Sequence, residues 1–234
     1  MTDHFTLTLA HIRARIDAAA QLASRDPATV GLLAVSKTFP AEDIRSFYAV
    51  GQRAFGENYV QEFTDKVAAL ADLADLEWHF IGPLQRNKTR SVAASAHWVH
   101  AIDRLIIAER LSQQRPNQLP RLNVCIQVNV SGEASKSGVA PEETLELARQ
   151  VVALPNLNLR GLMCIPEPTR DEAALTAQFE QLRQLQDQLN EQGYALDTLS
   201  MGMSSDLEVA VAHGATLVRI GTALFGARPN KMTA

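Results

Sequence analysis

The sequence predicts a (β/α)8 barrel of one domain with an extra helix at its N-terminus. Three observations predict it. Eight short β-type runs, at 30–36, 53–56, 77–81, 97–102, 122–130, 157–165, 195–201 and 216–221, are separated by helical stretches, and that alternation implies parallel strands joined by right-handed crossovers. The length of 234 residues suits eight such units. The competing architecture, an open doubly wound sheet, usually carries a glycine-rich turn after its first strand, whereas the turn here reads Ser36-Lys37-Thr38-Phe39-Pro40. No linker, low-complexity tract or internal repeat interrupts the chain, so residues 1–234 read as one domain.

The helices follow from spacing. Phe5, Leu9, Ile12, Ile16, Ala19 and Ala23 fall three and four apart and form one apolar stripe. Arg13, Arg15 and Asp17 mix charge signs on the opposite face, which argues for packing on a core rather than on a membrane. Pro40 opens a helix across 40–50. Leu175, Phe179, Leu182, Leu185 and Leu189 stripe a helix across 171–192, with Thr169 and Glu172 as its capping box and Gly193 as its stop. A short helix starts at Ser204 or Ser205, with Ser205 and Glu208 as capping box, and ends at Gly214.

Composition excludes several classes. Lys+Arg 22 against Asp+Glu 26 gives a net charge of −4, which is not the balance of a nucleic-acid binder. A chain 46% hydrophobic and 21% charged folds rather than remaining disordered. No apolar run approaches the roughly 20 residues of a membrane helix. Met1-Thr2-Asp3-His4-Phe5 lacks the basic-then-apolar order of a signal peptide, so a soluble, cytoplasmic protein is expected. Cys125 and Cys164 sit in apolar runs and read as buried thiols rather than a disulfide.

In a barrel, chemistry gathers at the C-terminal ends of the strands. Lys37 ends the first, where alternation groups it with Leu33 and Val35. If that set faces inward, Lys37 is a partly desolvated amine suited to attack a carbonyl; if it faces outward, it is a solvated strand-end lysine. Ser204 starts the helix after strand seven, and Gly221 and Thr222 follow strand eight. These are the loops that barrels frequently use for phosphate, although helix capping explains the serines equally well. Arg219 would share the inward face with Leu217 and Gly221, where it needs a ligand or a buried carboxylate as partner. Reactive lysine, phosphate loops and interior arginine together suit a phosphorylated carbonyl compound held as a Schiff base; pyridoxal phosphate and a sugar phosphate both qualify.

Longer motifs then carry a resemblance. Ala34-Val35-Ser36-Lys37-Thr38, Phe55-Gly56-Glu57-Asn58-Tyr59-Val60-Gln61-Glu62 and Trp78-His79-Phe80-Ile81-Gly82-Pro83-Leu84-Gln85-Arg86-Asn87-Lys88 are similar to the pyridoxal phosphate homeostasis protein family. So are Val128-Asn129-Val130, Ser135-Lys136-Ser137-Gly138, Arg160-Gly161-Leu162-Met163, Leu199-Ser200-Met201-Gly202-Met203-Ser204 and the run from Val218 to Gly226. The resemblance covers nearly the whole chain. It implies a barrel like the N-terminal domain of alanine racemase, with pyridoxal 5'-phosphate on Lys37 as a Schiff base. It further implies phosphate contacts from Ser204, Gly221 and Thr222, and Arg219 beside the pyridine nitrogen. Asn58, His79, Ser200 and Met201 would line the pocket. The implied role is to buffer the cofactor and deliver it to pyridoxal phosphate-dependent apoenzymes, without an established turnover.

Arg219 beside the ring nitrogen would disfavour its protonation and make the ring a poorer electron sink, in keeping with weak catalysis. Lys136, after strand five, reads either as a second amine at the pocket mouth or as a solvated loop lysine. His97 and His100 lack the companions of a metal site. Trp78 and Trp98 read as packing, and Arg86, Lys88 and Arg90 as a solvated face. Glu57 and Glu62, taken as five apart on one helix, would not face each other. Three functions stay open: a monomeric cofactor carrier, a slow amino-acid racemase, and a Schiff-base aldolase. The aldolase lacks an evident acid/base at a strand end, and the ordered motifs favour the carrier.

Overall fold

A computed structural model describes residues 2–133, 137–167, 169 and 171–227. Among them, eight parallel strands close into a barrel in chain order. The strands are β1 (Gly31–Val35), β2 (Ala54–Glu57), β3 (Glu77–Phe80), β4 (Trp98–Ile102), β5 (Leu122–Gln127), β6 (Leu157–Met163), β7 (Thr198–Ser200) and β8 (Leu217–Ile220). The ring closes where β1 pairs with β8, with Leu33 opposite Arg219. Between the strands run α2 (Ala41–Ala49), α3 (Val60–Ala69), α4 (Thr89–Ser95), α5 (Leu105–Gln114), α6 (Thr144–Val152), α7 (Glu172–Glu191) and α8 (Leu207–Ala212). No helix among the described residues is long and apolar enough to cross a membrane.

The strand period of two sorts the interior. Ala34, Phe55, Phe80, Val99, Val124, Leu162 and Val218 face the helices and join one large core with Phe47, Phe63 and Phe179. Leu33, Val35, Ile81 and Leu217 pack together inside the barrel instead. Lys37 thus continues an inward column.

The extra helix is α1 (Thr2–Leu22), which buries Leu9, Ile12, Ile16 and Ala19, as its stripe predicts. It is tied to the last units of the barrel: Arg15 pairs with Glu208 at 2.8 Å, and Arg25 donates to the Val211 carbonyl at 2.6 Å. A final single turn, α9 (Thr222–Phe225), follows β8.

Two expected capping boxes are not formed. At α7 the cap is Asp171, whose Oδ1 accepts from the N–H groups of Ala173 (3.0 Å) and Ala174 (3.3 Å). Thr169 instead accepts from the Asp171 N–H. A carboxylate one residue before the helix reaches the free N–H groups directly and adds a charge favourable to the dipole. At α8 the helix starts at Leu207, later than expected, and the Asp206 side chain accepts from the Met203 N–H in the preceding turn. Ser204 and Ser205 are thereby left in the loop.

Replacing Asp171 with Ala is expected to cost about 1 kcal/mol in urea unfolding, the usual worth of an N-cap, and Glu172→Ala only a few tenths. The reverse order would restore the capping box to Thr169 and Glu172.

Candidate functional site

At the C-terminal end of the barrel lies a cavity of about 420 Å³. Lys37, Asn58, Ser204, Arg219, Gly221 and Thr222 all line it, so six of the residues singled out in the sequence converge on one space. Val35, Ile81, Ile165 and Met203 supply apolar walls, and Ser205 adds a hydroxyl. Asn58 Oδ1 is buried there without a hydrogen-bond partner. A buried amide oxygen left unpaired is costly and marks a place for a ligand donor.

Three residues from the same reading lie elsewhere. Met201 faces the helices and joins the main core, because Ser200 before it faces inward and successive strand residues alternate; Met203 reaches the cavity in its stead. Ser200 sits beneath the cavity, where its hydroxyl accepts from Arg219 at 2.9 Å. His79 is inside the barrel but deeper, two residues before Ile81 on β3, and lines a second cavity at the opposite end. Lys136 lies outside the described residues.

Among the described residues, no carboxylate pairs with Arg219. Its guanidinium donates to the Ser200 carbonyl and hydroxyl through one terminal nitrogen and to the Cys164 carbonyl, at 2.7 Å, through the other. Full burial lowers its pKa, yet arginine stays charged. The result is a positive charge fixed in orientation, facing neutral oxygens, at the floor of the cavity. Such a charge favours an electron-rich ligand atom.

The segment carrying Lys37 is fastened on both sides. Ser36 faces the helices, as does Glu57 at the end of β2. Lys66 of α3 reaches both, donating to the Ser36 carbonyl at 2.8 Å and to Glu57 Oε1 at 2.6 Å, while the Ser36 hydroxyl donates to the same carboxylate at 2.6 Å. Thr38 adopts φ +71, a conformation that a β-branched residue rarely takes and that costs on the order of 1–3 kcal/mol. Its N–H is held by Glu62 Oε2 at 2.8 Å. Phe39 then stacks on Phe225 of α9 with centroids 5.1 Å apart, tying the loop to the Gly221–Thr222 side. Burial pushes the Glu57 carboxyl up, and Lys66 and Ser36 partly oppose this.

Glu57 and Glu62 both meet Lys66, at 2.6 and 3.6 Å, a contact that a helical placement of Glu57 does not predict. The available signal was alternation from Phe55, which puts Glu57 on the face toward α3.

Gly82 permits the approach of the next loop, since a Cβ there would lie 2.1 Å from the Asn58 carbonyl oxygen. His97 Nδ1 accepts from the Trp78 N–H at 2.9 Å, whereas His100 faces into the barrel. Cys125 and Cys164 are buried free thiols, each pushed up to about 12 by desolvation.

Two outcomes follow from the buried charges. Lys66→Met leaves the Glu57 carboxylate without its cation and is expected to cost about 3–5 kcal/mol in urea unfolding, most of it recovered by adding Glu57→Gln. Burial also lowers the pKa of His79 and His100. Their stabilising contribution is complete above about pH 6.5, the unfolded-chain value, and is lost as pH falls through the folded values. Urea midpoints measured from about pH 7.5 down to 5 should fall, and His100→Asn should flatten the slope.

Comparison with known proteins agrees with this geometry. Residues 7–229 match the family model for the alanine racemase N-terminal domain. The pyridoxal phosphate homeostasis protein of Pseudomonas aeruginosa is 64% identical over 220 residues, 94% of each chain. PipY of Synechococcus elongatus, in a structure with PLP bound, superposes with a TM-score of 0.83 at 40% identity, covering 95% of this chain and 100% of that one. An alanine racemase of Clostridium difficile shares the fold at 14% identity and a TM-score of 0.75, with 98% of this chain matched to 58% of the racemase. With the barrel, the converging side chains and these relatives together, the chain belongs to the alanine racemase N-terminal domain family and, within it, to the pyridoxal phosphate homeostasis proteins.

Proposed function

We propose that residues 1–234 form one domain that binds pyridoxal 5'-phosphate on Lys37 as a Schiff base, stores it in the cytoplasm as a monomer and passes it to pyridoxal phosphate-dependent apoenzymes. The observation that carries this reading is the convergence of Lys37, Arg219, Ser204 and Thr222 on one cavity. Membership of a family named for pyridoxal phosphate homeostasis, and a relative solved with PLP bound, support it.

The residues present fit the group. Lys37 supplies the amine, and the Ser36–Glu57–Lys66 contacts with the Glu62–Thr38 bond hold its backbone at the rim. Ser204 and Thr222 bring hydroxyls to a phosphate, the Ser204 oxygen being approached by the Ala223 N–H at 3.4 Å. Val35, Ile81 and Met203 offer apolar contact to ring faces. Arg219 at the cavity floor would face the ring nitrogen, as the resemblance implies, and would disfavour its protonation by like-charge repulsion. When bound, the cofactor supplies an aldehyde for amines and a ring that draws off electrons. Arg219 weakens the second property, which favours holding and release over substrate turnover.

A slow amino-acid racemase is the alternative. The test is the absorbance spectrum of purified protein with added pyridoxal phosphate, before and after borohydride reduction, with peptide mapping. The expected outcome is a visible band that reduces onto Lys37 and is absent from Lys37→Ala. Absence of the band in the native protein overturns the proposal. Exchange of an amino acid's α-proton for solvent deuterium at a steady rate would favour the racemase.

A further inference from the structure

Beneath the cavity, a line of polar side chains runs down the inside of the barrel. Arg219 donates to Ser200 Oγ at 2.9 Å. Ser200 Oγ lies 2.8 Å from His100 Nδ1, and His100 Nε2 lies 2.9 Å from His79 Nδ1. His79 Nε2 faces Glu77 Oε1 at 3.6 Å, and Trp98 Nε1 donates to that same oxygen at 2.6 Å. Ser200, His100 and His79 are fully or almost fully buried. Glu77, by contrast, is partly exposed in the cavity of about 380 Å³ at the far end of the barrel.

Chemistry sets the direction of this line. Arginine has no acceptor, so Ser200 must accept from it. The Ser200 hydroxyl is fully buried and its proton needs an acceptor; among the described residues its other side-chain contact is His100 Nδ1, which therefore takes the proton and is itself unprotonated. His100 therefore carries its proton on Nε2 and gives it to His79 Nδ1. By the same step His79 carries its proton on Nε2, which makes no hydrogen bond among the described residues and lies 3.6 Å from Glu77 Oε1. The bonds from Arg219 to His79 all point one way, toward the opposite end, and both imidazoles are neutral.

We propose that His100 and His79 are positioning residues for Arg219: their one-way chain keeps the Ser200 hydroxyl turned as an acceptor, and so holds the guanidinium at the floor of the cofactor cavity. Without His100 the Ser200 proton loses its acceptor, and the hydroxyl is free to rotate against the guanidinium. A protonated His100 would reverse the bond to Ser200 and set a second positive charge against Arg219. The titratable groups facing the pair are Glu77 and His97 toward His79 and Arg219 toward His100, while Cys164, Asp206 and Cys125 act on Arg219. Burial and Arg219 keep His100 well below the ordinary histidine range, and the thiols stay protonated. His79 stacks face to face on Trp98, with an interplanar angle of 5°, which fixes its ring plane for the relay.

The proposal rests on pyridoxal phosphate being the ligand, and its test separates the two. Nitrogen-15 histidine NMR of the wild-type protein, without and with pyridoxal phosphate, should find His79 and His100 both in the neutral Nε2–H form at neutral pH. Pyridoxal phosphate is then titrated into wild type, His100→Leu and His100→Asn. His100→Leu should bind about tenfold more weakly, the worth of one charge-assisted hydrogen bond, and shift the pH dependence of the visible band. His100→Asn, whose amide oxygen can accept the Ser200 proton, should regain most of the loss.

An Nδ1–H form of His100 overturns the proposal, as does wild-type affinity and an unshifted pH profile in His100→Leu. Should His100→Leu not fold, the NMR forms and the His100→Asn titration decide the matter. Failure of wild type to bind pyridoxal phosphate would refute the assigned ligand, and the NMR would still test the direction of the chain.

Discussion

A strand closed into a barrel offers every second side chain to a narrow interior, and the rest of this molecule is arranged around that constraint. Leu33 and Val35 bring Lys37 to the inner rim, Leu217 brings Arg219, and the β3 column places His79 below Ile81. The intervening residues, Ala34, Phe55, Phe80 and Val218, meet the helices and form the large apolar core. A slip of one residue in any of these strands would exchange the two sets, moving charges into the core and phenylalanines into the site.

The two faces treat charge differently. On the helix side, the Lys66–Glu57 pair is ionic and buried, and it fastens the loop that carries Lys37. Inside the barrel, the partners of Arg219 among the described residues are carbonyls and a hydroxyl, and its charge is directed rather than neutralised. A neutralised arginine would offer little to a ligand. One set among neutral acceptors retains its field in a medium of low polarity. The polar line of Arg219, Ser200, His100 and His79 runs through the barrel interior beside the apolar cluster of Leu33, Val35, Ile81 and Leu217.

Much of this was legible along the chain. The eight strands, the N-terminal helix and the six cavity residues follow from periodicity, from the rule that barrel sites gather at strand ends, and from the resemblance of the motifs. The differences are local. Alternation with Ser200 turns the Met201 side chain into the main core. Asp171 caps α7 where the spacing of Thr169 and Glu172 predicts a capping box. Glu57 ends a strand rather than lying on the helix with Glu62.

The sequence by itself determined the strand count, which residues of a strand share a face, and the types of group available to the site, since these depend on local period and residue chemistry. Only the tertiary structure decided which distant groups meet. Lys66 reaches Ser36 across thirty residues, Arg219 reaches Cys164 across fifty-five, and His100 reaches Ser200 across a hundred. Those contacts depend on how far the strands are staggered as the ring closes, and stagger is a property of the whole barrel rather than of any segment within it.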